Sequence, residues 1–168
     1  QFPAYDEDRA AVMARAKDTG VKTLAVGTEI STSKAGIKTA EEYPEFVLGA
    51  TVGFHPNHLS SKEHFDANEL RVNVKEKFDT DALREIAKHD KVLGIGECGL
   101  DYYRLPSNLA EADKIKSRQK EVFIKHIEIA NEFKKPLIVH CRSAFPDLID
   151  LLVTNHQSLI TIPGVIHF

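Results

Sequence analysis

The chain has few cysteines, no long apolar segment and no excess of one charge sign, and each absence narrows its class. Cys98 and Cys141 are the only cysteines among 168 residues, which excludes a disulfide framework and is typical of free thiols in a reducing compartment. No run reaches the roughly 18 apolar residues that a membrane helix needs. Residues Gln1–Asp8 are polar and acidic, unlike a secretory signal. We therefore expect no membrane association and a cytoplasmic protein, or a nuclear one if its source is eukaryotic.

The charge balance excludes a protein that attracts nucleic acid by a general positive field. The formal net charge is −3 and the isoelectric point is about 6.3. A cleft can still carry positive charge of its own when it binds metal ions. A nucleic-acid substrate therefore stays open, provided that the site and not the whole surface supplies the attraction.

The hydrophobic pattern alternates between helices and short buried strands. Five apolar runs with strand character stand at 23–27, 46–54, 92–97, 137–140 and 164–167, and helical patterns lie between them. This order favours right-handed crossovers and a parallel sheet. In such sheets the functional side chains collect at the carboxyl ends of the strands.

Three of these strands end in a residue that can bind a metal ion: Glu97, His140 and His167. A buried strand tolerates a charged or imidazole tip only where it opens onto solvent, a metal or a partner. Carboxylate and imidazole ligands together suit Zn²⁺, Mn²⁺ or Fe²⁺, whereas Mg²⁺ prefers oxygen ligands. The three strand ends therefore predict a metal site.

Further polar residues stand beside these ends, each with more than one interpretation. His55, before Pro56, is a ligand, a substrate contact or a hydrogen-bonded loop residue. Asp101 belongs to the substrate pocket, orients a metal ligand or caps its loop. Arg142 holds a phosphate with paired hydrogen bonds or forms an ion pair. Tyr102, like its neighbour Tyr103, stacks on a base or packs at the rim.

The remaining acidic and imidazole candidates are assigned no role in chemistry. Glu29 also follows a strand, but helix-start residues surround it, so we expect it to cap a helix. Five histidines have no strand-end position and are expected to be bystanders: His58, His64, His89, His126 and His156.

Four segments, in order, resemble the signatures of the TatD-type metal-dependent deoxyribonucleases. They are Val52-Gly53-Phe54-His55-Pro56, Gly96-Glu97-Cys98-Gly99-Leu100-Asp101-Tyr102, Pro136-Leu137-Ile138-Val139-His140-Cys141-Arg142 and Val165-Ile166-His167-Phe168. A helix containing Gln119, Phe123 and His126 separates the second from the third, and the similarity runs from Asp8 to the last residue.

The resemblance implies a TIM-type (β/α)8 barrel that holds divalent metal ions. By motif match Glu97, His140 and His167 would be metal ligands, with His55 lining the pocket. The first strand with its His-x-His pair and a late strand with an aspartate have no counterpart here. We therefore expect residues 1–168 to form a single metal-dependent hydrolase domain that is an incomplete barrel of about five parallel strands, without the first strand and the last two.

The expected activity is hydrolysis of phosphodiester bonds in DNA, as a 3′–5′ exonuclease on single strands. Glu97 and His55 would be catalytic, and Arg142, Tyr102 and Asp101 would bind the substrate. Two ions of Mg²⁺, Mn²⁺ or Zn²⁺ are expected, which a carboxylate such as Glu97 can bridge. One alternative is an ester or amide hydrolase, such as a deacylase or lactonase, because one barrel hosts many chemistries. Another is an inactive barrel portion that acts as a binding module.

Overall fold

The computed structural model describes residues 3–59, 76–154 and 164–167. Within these ranges the five strands are β1 (Thr23–Val26), β2 (Val47–Val52), β3 (Val92–Asp101), β4 (Leu137–Arg142) and β5 (Val165–His167). The α-helices of the same ranges are α1 (Arg9–Asp18), α2 (Ile30–Glu42), α3 (Thr80–Ala87), α4 (Leu109–Phe133) and α5 (Phe145–Thr154). Short 3₁₀ turns cover Pro3–Tyr5 and Pro56–Leu59.

The strands form one parallel sheet whose spatial order, β1-β2-β3-β4-β5, equals their order along the chain. A doubly wound sheet reverses direction at a switch point, whereas a TIM-type barrel adds each strand beside the previous one. The predicted fold class, five parallel strands of such a barrel, is confirmed. All five carboxyl ends consequently lie along one edge of the sheet.

The helix ends show why the chain turns where it does. The Asp79 carboxylate accepts hydrogen bonds from the backbone N–H groups of Asp81 and Ala82 and caps α3. The Asn108 side chain accepts from the N–H of Glu111 and caps α4. Glu29 is the N-cap residue of α2, as the sequence predicts, and its own N–H donates to the Thr32 hydroxyl at 3.0 Å. These caps fix how each helix leaves the carboxyl edge of the sheet.

The core lies between the sheet and the helices that cover it. Its largest fully buried apolar side chains are Phe54, Phe123, Leu83, Ile95, Leu100, Ile127, Ile129 and Leu148. Cys98 and Cys141 are buried free thiols, as predicted. Among the described residues, none of the helices is both long and apolar enough for a membrane crossing.

Two glycines give β3 the path that brings Glu97 to the carboxyl edge. Gly96 and Gly99 have φ values of +143° and +131°, which side chains of L-residues rarely adopt. A Cβ atom at Gly99 would lie 2.1 Å from the backbone oxygen of His140. The register of the β3–β4 pair shifts between Ile95 and Cys98, within this stretch. The glycines therefore permit a close, irregular approach of β3 to β4.

Candidate metal centre

Three imidazole rings converge on one oxygen of the Glu97 carboxylate. Glu97 Oε1 lies 3.4 Å from His55 Nε2, 3.4 Å from His140 Nδ1 and 3.1 Å from His167 Nε2. The rings come from the segment after β2, from β4 and from β5, and Glu97 itself lies in β3. Four neighbouring parts of the sheet edge thus supply one cluster, and the four residues predicted from the strand ends and motifs are brought together.

The spacing of this cluster fits a metal ion. One ligating atom each from His55, Glu97 and His140 can be chosen so that all lie within 4.8 Å of one another. Bonds of about 2.1 Å to a tetrahedral ion separate its ligands by about 3.4 Å. Glu97 Oε1 lies 3.4 Å from His140 Nδ1 and 3.1 Å from His167 Nε2, close to that separation. Mixed imidazole and carboxylate ligands also suit the borderline divalent cations.

His140 is oriented by a second carboxylate. Its Nε2 donates a hydrogen bond to Asp101 Oδ2 at 3.0 Å, which leaves Nδ1 facing Glu97. Burial alone lowers the pKa of His140, but hydrogen bonds to Asp101 and Glu97 outweigh it and raise the pKa to about 9. A carboxylate that fixes the far nitrogen of a histidine is the usual support of a metal ligand. Nδ1 is therefore the ligating atom that this ring offers.

His55 has the opposite hydrogen-bond pattern. Its Nδ1 accepts a hydrogen bond from the backbone N–H of Asn57 at 3.2 Å, so the proton of the neutral ring lies on Nε2 and points toward Glu97. Burial lowers the pKa of His55 despite the neighbouring Glu97 carboxylate. The ring is therefore neutral near pH 7 and offers an N–H donor to the pocket.

Glu97 remains ionised in this setting. Burial on its own raises the pKa of the carboxyl group, but hydrogen bonds from His140 and His55 lower it well below its usual range. A carboxylate at the centre of three imidazoles is thus a fixed negative charge at the edge of the sheet.

Asp101 is held in place by a glutamine of α4. The side-chain oxygen of Gln119 accepts from the backbone N–H of Asp101 at 2.9 Å, and its amide nitrogen donates to the Asp101 carbonyl at 3.0 Å. The same nitrogen lies 3.4 Å from the carbonyl oxygen of Pro56. Gln119 is almost fully buried, so it joins the ends of β2 and β3 from within the core.

His126 performs the corresponding task for the segment before His55. Its Nε2 accepts a hydrogen bond from the backbone N–H of Phe54 at 3.0 Å, and its Nδ1 donates to the Val122 carbonyl at 2.8 Å. The sequence prediction of a bystander is therefore incomplete, because the ring supports the backbone that carries His55. One feature of the sequence indicates this role: His126, like Gln119, is a polar residue on the otherwise apolar face of α4.

The two adjacent tyrosines beside the metal centre have different surroundings. The Tyr102 hydroxyl donates to Asp147 Oδ2 at 2.8 Å, and Lys116 Nζ lies 5.4 Å from the centroid of its ring, so this residue packs toward α4 and α5. Tyr103 is instead exposed, and the Arg142 guanidinium lies 3.6 Å from its ring centroid. Of the two, only Tyr103 offers an open ring face.

Two further histidines of the described ranges, His58 and His89, lie outside the cluster. His58 Nδ1 is 3.5 Å from Glu29 Oε2, and His89 Nε2 is 3.4 Å from Glu41 Oε1. His64 and His156 lie outside the described residues.

Comparison with known proteins gives relatives that are named as exonucleases or as metal-dependent hydrolases. The 3′-5′ ssDNA/RNA exonuclease TatD of Rahnella sp. is 34% identical over 141 residues, which cover 83% of this chain and 46% of the relative. The protein of the same name from Salmonella typhimurium is 34% identical over 163 residues, covering 96% and 53%. An uncharacterized metal-dependent hydrolase of Escherichia coli, YcfH, is 38% identical over 96 residues, covering 57% and 33%.

Solved structures agree with the fold. YjjV, a TatD homologue from Escherichia coli K12, superposes with a TM-score of 0.68 at 25% identity, over 92% of this chain and 52% of that protein. A TatD-family hydrolase from Entamoeba histolytica gives a TM-score of 0.67 at 24% identity, over 96% and 49%. The chain thus spans about half the length of the TatD relatives and structures it matches.

The family model of the TatD-related DNases matches residues 1–168, the whole sequence. This match agrees with the relatives, with the barrel-type order of the strands and with the histidine and carboxylate cluster at their ends. The chain belongs to the TatD-related DNase family.

Proposed function

We propose that residues 1–168 form one metal-dependent hydrolase domain of an enzyme that cleaves phosphodiester bonds in single-stranded DNA, from the 3′ end. The observation that carries this proposal is the convergence of three imidazoles on the Glu97 carboxylate. Membership of the TatD-related DNase family supports the reaction class. The names of the Rahnella and Salmonella relatives support the substrate and the polarity.

Glu97, His140 and His167 are the proposed ligands of two divalent ions, Mg²⁺, Mn²⁺ or Zn²⁺. Such ions supply Lewis acidity, which neutralises charge on a phosphodiester and makes water more acidic. The residues prepare the site in advance: Glu97 stays ionised, and Asp101 fixes the ring of His140 with Nδ1 directed inward. His167 is 44% exposed and its Nε2 lies 3.1 Å from Glu97 Oε1, so it is the most accessible of the three proposed ligands.

His55 is proposed to be the proton-bearing group of the pocket. The hydrogen bond from Asn57 keeps its proton on Nε2, and that N–H faces the cluster. A neutral N–H group in this position can donate a hydrogen bond to a phosphate oxygen. This role uses the nitrogen pattern that the structure has, without requiring a change of tautomer.

Arg142 is the proposed phosphate contact. It ends β4, two residues beyond His140, and residues two apart in a strand point to the same face. A guanidinium there can hold a phosphate with two parallel hydrogen bonds. Both Asp101 oxygens have partners in the protein, His140 Nε2 and the backbone N–H of Tyr103. These contacts favour a positioning role for Asp101 over the substrate contact expected from the sequence.

The test is cleavage of a 5′-labelled single-stranded DNA oligonucleotide by the protein in its natural length, with Mg²⁺ or Mn²⁺. We expect stepwise shortening from the 3′ end that stops with chelator and falls at least a hundredfold in Glu97→Gln. The matched control is Glu121→Gln, which changes an exposed glutamate of α4 and should keep full activity.

Other outcomes favour the alternatives. Folded, metal-loaded protein that leaves DNA intact but hydrolyses esters or amides would be a different metallohydrolase on the same barrel. Folded protein that binds no metal and hydrolyses none of these substrates would be a binding module.

A cytoplasmic location is also proposed. The two buried free thiols, Cys98 and Cys141, support it.

A further inference from the structure

Tyr103 and Arg142 form a stacked pair at the rim of the metal centre. The guanidinium carbon of Arg142 lies 3.6 Å from the centroid of the Tyr103 ring, well within the range of a cation–π contact. Tyr103 is 60% exposed, so part of the ring surface stays open to solvent. Its backbone N–H donates to Asp101 Oδ1 at 3.0 Å, and Asp101 also holds His140. The pair is thus tied to the metal centre through one shared carboxylate.

The N–H groups of the Arg142 guanidinium form no ion pair within the described residues. In the described ranges the arginine ion pairs are formed by Arg9, Arg84 and Arg118, and Arg142 takes part in none of them. Stacking engages the flat face of a guanidinium and leaves the N–H groups at its edge free to bind an anion. A phosphate that reaches the metal centre along this rim meets those N–H groups beside an open aromatic ring.

We propose that Tyr103 and Arg142 bind one nucleotide unit of the strand, Tyr103 by stacking on an unpaired base beside the scissile phosphate and Arg142 by holding a neighbouring phosphate. This inference rests on the proposed function and adds the reason for a single-stranded substrate. A base within a duplex is already stacked on both faces and paired at its edge, so it cannot lie on the tyrosine. An unpaired base at a strand end has a free face.

Tyr102 shows why the neighbouring residue is the one that stacks. Its hydroxyl is bonded to Asp147 and the Lys116 ammonium lies over its ring, so these contacts hold it within the fold. Tyr103 has its ring contact with Arg142 and is otherwise exposed. We therefore assign the base contact that was expected of Tyr102 to the next residue, Tyr103.

The test measures binding, so it does not depend on turnover. The probe is a fluorescent single-stranded DNA with uncleavable phosphorothioate linkages at its 3′ end. The comparison strand has the same length and backbone, but its last two nucleotides are abasic. With Mg²⁺ present, fluorescence anisotropy gives both dissociation constants for the protein in its natural length. We expect the base-bearing strand to bind the unaltered protein on the order of tenfold more tightly than the abasic strand.

The variants separate the base contact from the phosphate contact. Tyr103→Leu should bind both strands equally, whereas Tyr103→Phe, which keeps the ring, should restore the preference for the base-bearing strand. Arg142→Gln should weaken both strands by a similar factor. Tyr5→Leu changes another exposed tyrosine, at the far end of the chain, and should keep the tenfold preference.

The results that overturn this inference differ from those that overturn the proposed function. If Tyr103→Leu folds, as circular dichroism would show, and keeps the preference for the base-bearing strand, Tyr103 does not bind the base. If binding depends on Tyr103 but the unmodified strand is never cleaved, the nucleotide site stands and the proposed exonuclease activity is wrong.

Discussion

The imidazole of His126 accepts, through Nε2, a 3.0 Å hydrogen bond from the backbone N–H of Phe54. Its other nitrogen donates to the carbonyl of Val122. A protonated ring would carry a hydrogen on both nitrogens and would oppose the Phe54 N–H. The neutral ring is therefore part of the folded structure beside His55.

This relationship predicts that stability falls in mild acid. Burial lowers the pKa of His126 to about 4, outweighing the hydrogen bond to the Val122 carbonyl, which raises it. The unfolded chain has the ordinary histidine pKa of about 6.5. The stabilisation from the neutral ring is therefore complete above pH 6.5 and is lost as the pH falls toward 4, by about 3 kcal/mol.

The measurement is urea unfolding from pH 8 to pH 4, comparing the unaltered protein with His126→Gln, whose amide does not titrate. The difference in the free energy of unfolding should shrink as the pH falls through this window. A difference that stays constant across it would show that His126 does not carry the effect.

Gln119→Leu should destabilise the protein by about 2–6 kcal/mol. The change leaves both the N–H and the carbonyl of Asp101 without a side-chain partner in a buried place, and each lost partner costs about 1–3 kcal/mol. Arg118→Leu, on the adjacent exposed position of α4, is the control and should change stability by less than about 1 kcal/mol. Chemical denaturation of both variants checks this. Equal effects of the two substitutions would contradict the bracing role.

Metal binding should release a proton near pH 8. Without a cation, burial lowers the pKa of His140 but Asp101 and Glu97 raise it to about 9, so the ring is charged. The folded pKa is above the unfolded value of about 6.5, so this contribution to stability is complete below pH 6.5 and is lost as the pH rises through 9. A ligating Nδ1 must give up its hydrogen.

Titration calorimetry in buffers of different ionisation enthalpy counts the released protons. We expect close to one from His140, and a smaller number in Asp101→Asn, which lacks the charge that raises the pKa. A release that is the same in both proteins would mean that Asp101 does not set the protonation of this ligand.

Gly99→Ala should abolish folding or cost more than about 3 kcal/mol. The new Cβ would lie 2.1 Å from the His140 backbone oxygen, and the φ of +131° is unfavourable for alanine. Gly20→Ala is the matched control, since Gly20 also has a positive φ, +68°, but nothing lies within 4 Å of its Cβ position. It should cost only about 1 kcal/mol. Thermal unfolding distinguishes the two, and equal losses would show that close packing against His140 is unimportant.

Sequence reasoning finds the parts of the site that repeat a pattern. Glu97, His140 and His167 each follow an apolar run, and a parallel sheet brings such positions together. The expected strand ends at Glu97 and His140 are wrong, because β3 continues to Asp101 and β4 to Arg142. The tautomer of His55 and the supports from α4 were not predictable. They depend on which backbone groups face a side chain after the helix packs, as the Gln119 contact with Asp101 shows. The difference between Tyr102 and Tyr103 likewise depends on the position of α5.

The two buried polar side chains of α4, Gln119 and His126, also restrict insertions and deletions in the helix between them. Gln119 and His126 are seven residues apart, which is about two helical turns and about 10 Å of rise, and each bonds a fixed backbone group, the N–H of Asp101 or the N–H of Phe54. Inserting or deleting one residue between them would rotate one side chain by about 100° away from its target. A whole heptad would restore the rotation but would change the rise by about 10 Å, so insertions and deletions between these two side chains should be poorly tolerated at any length. The stretch after His126 has no such restriction from this pair.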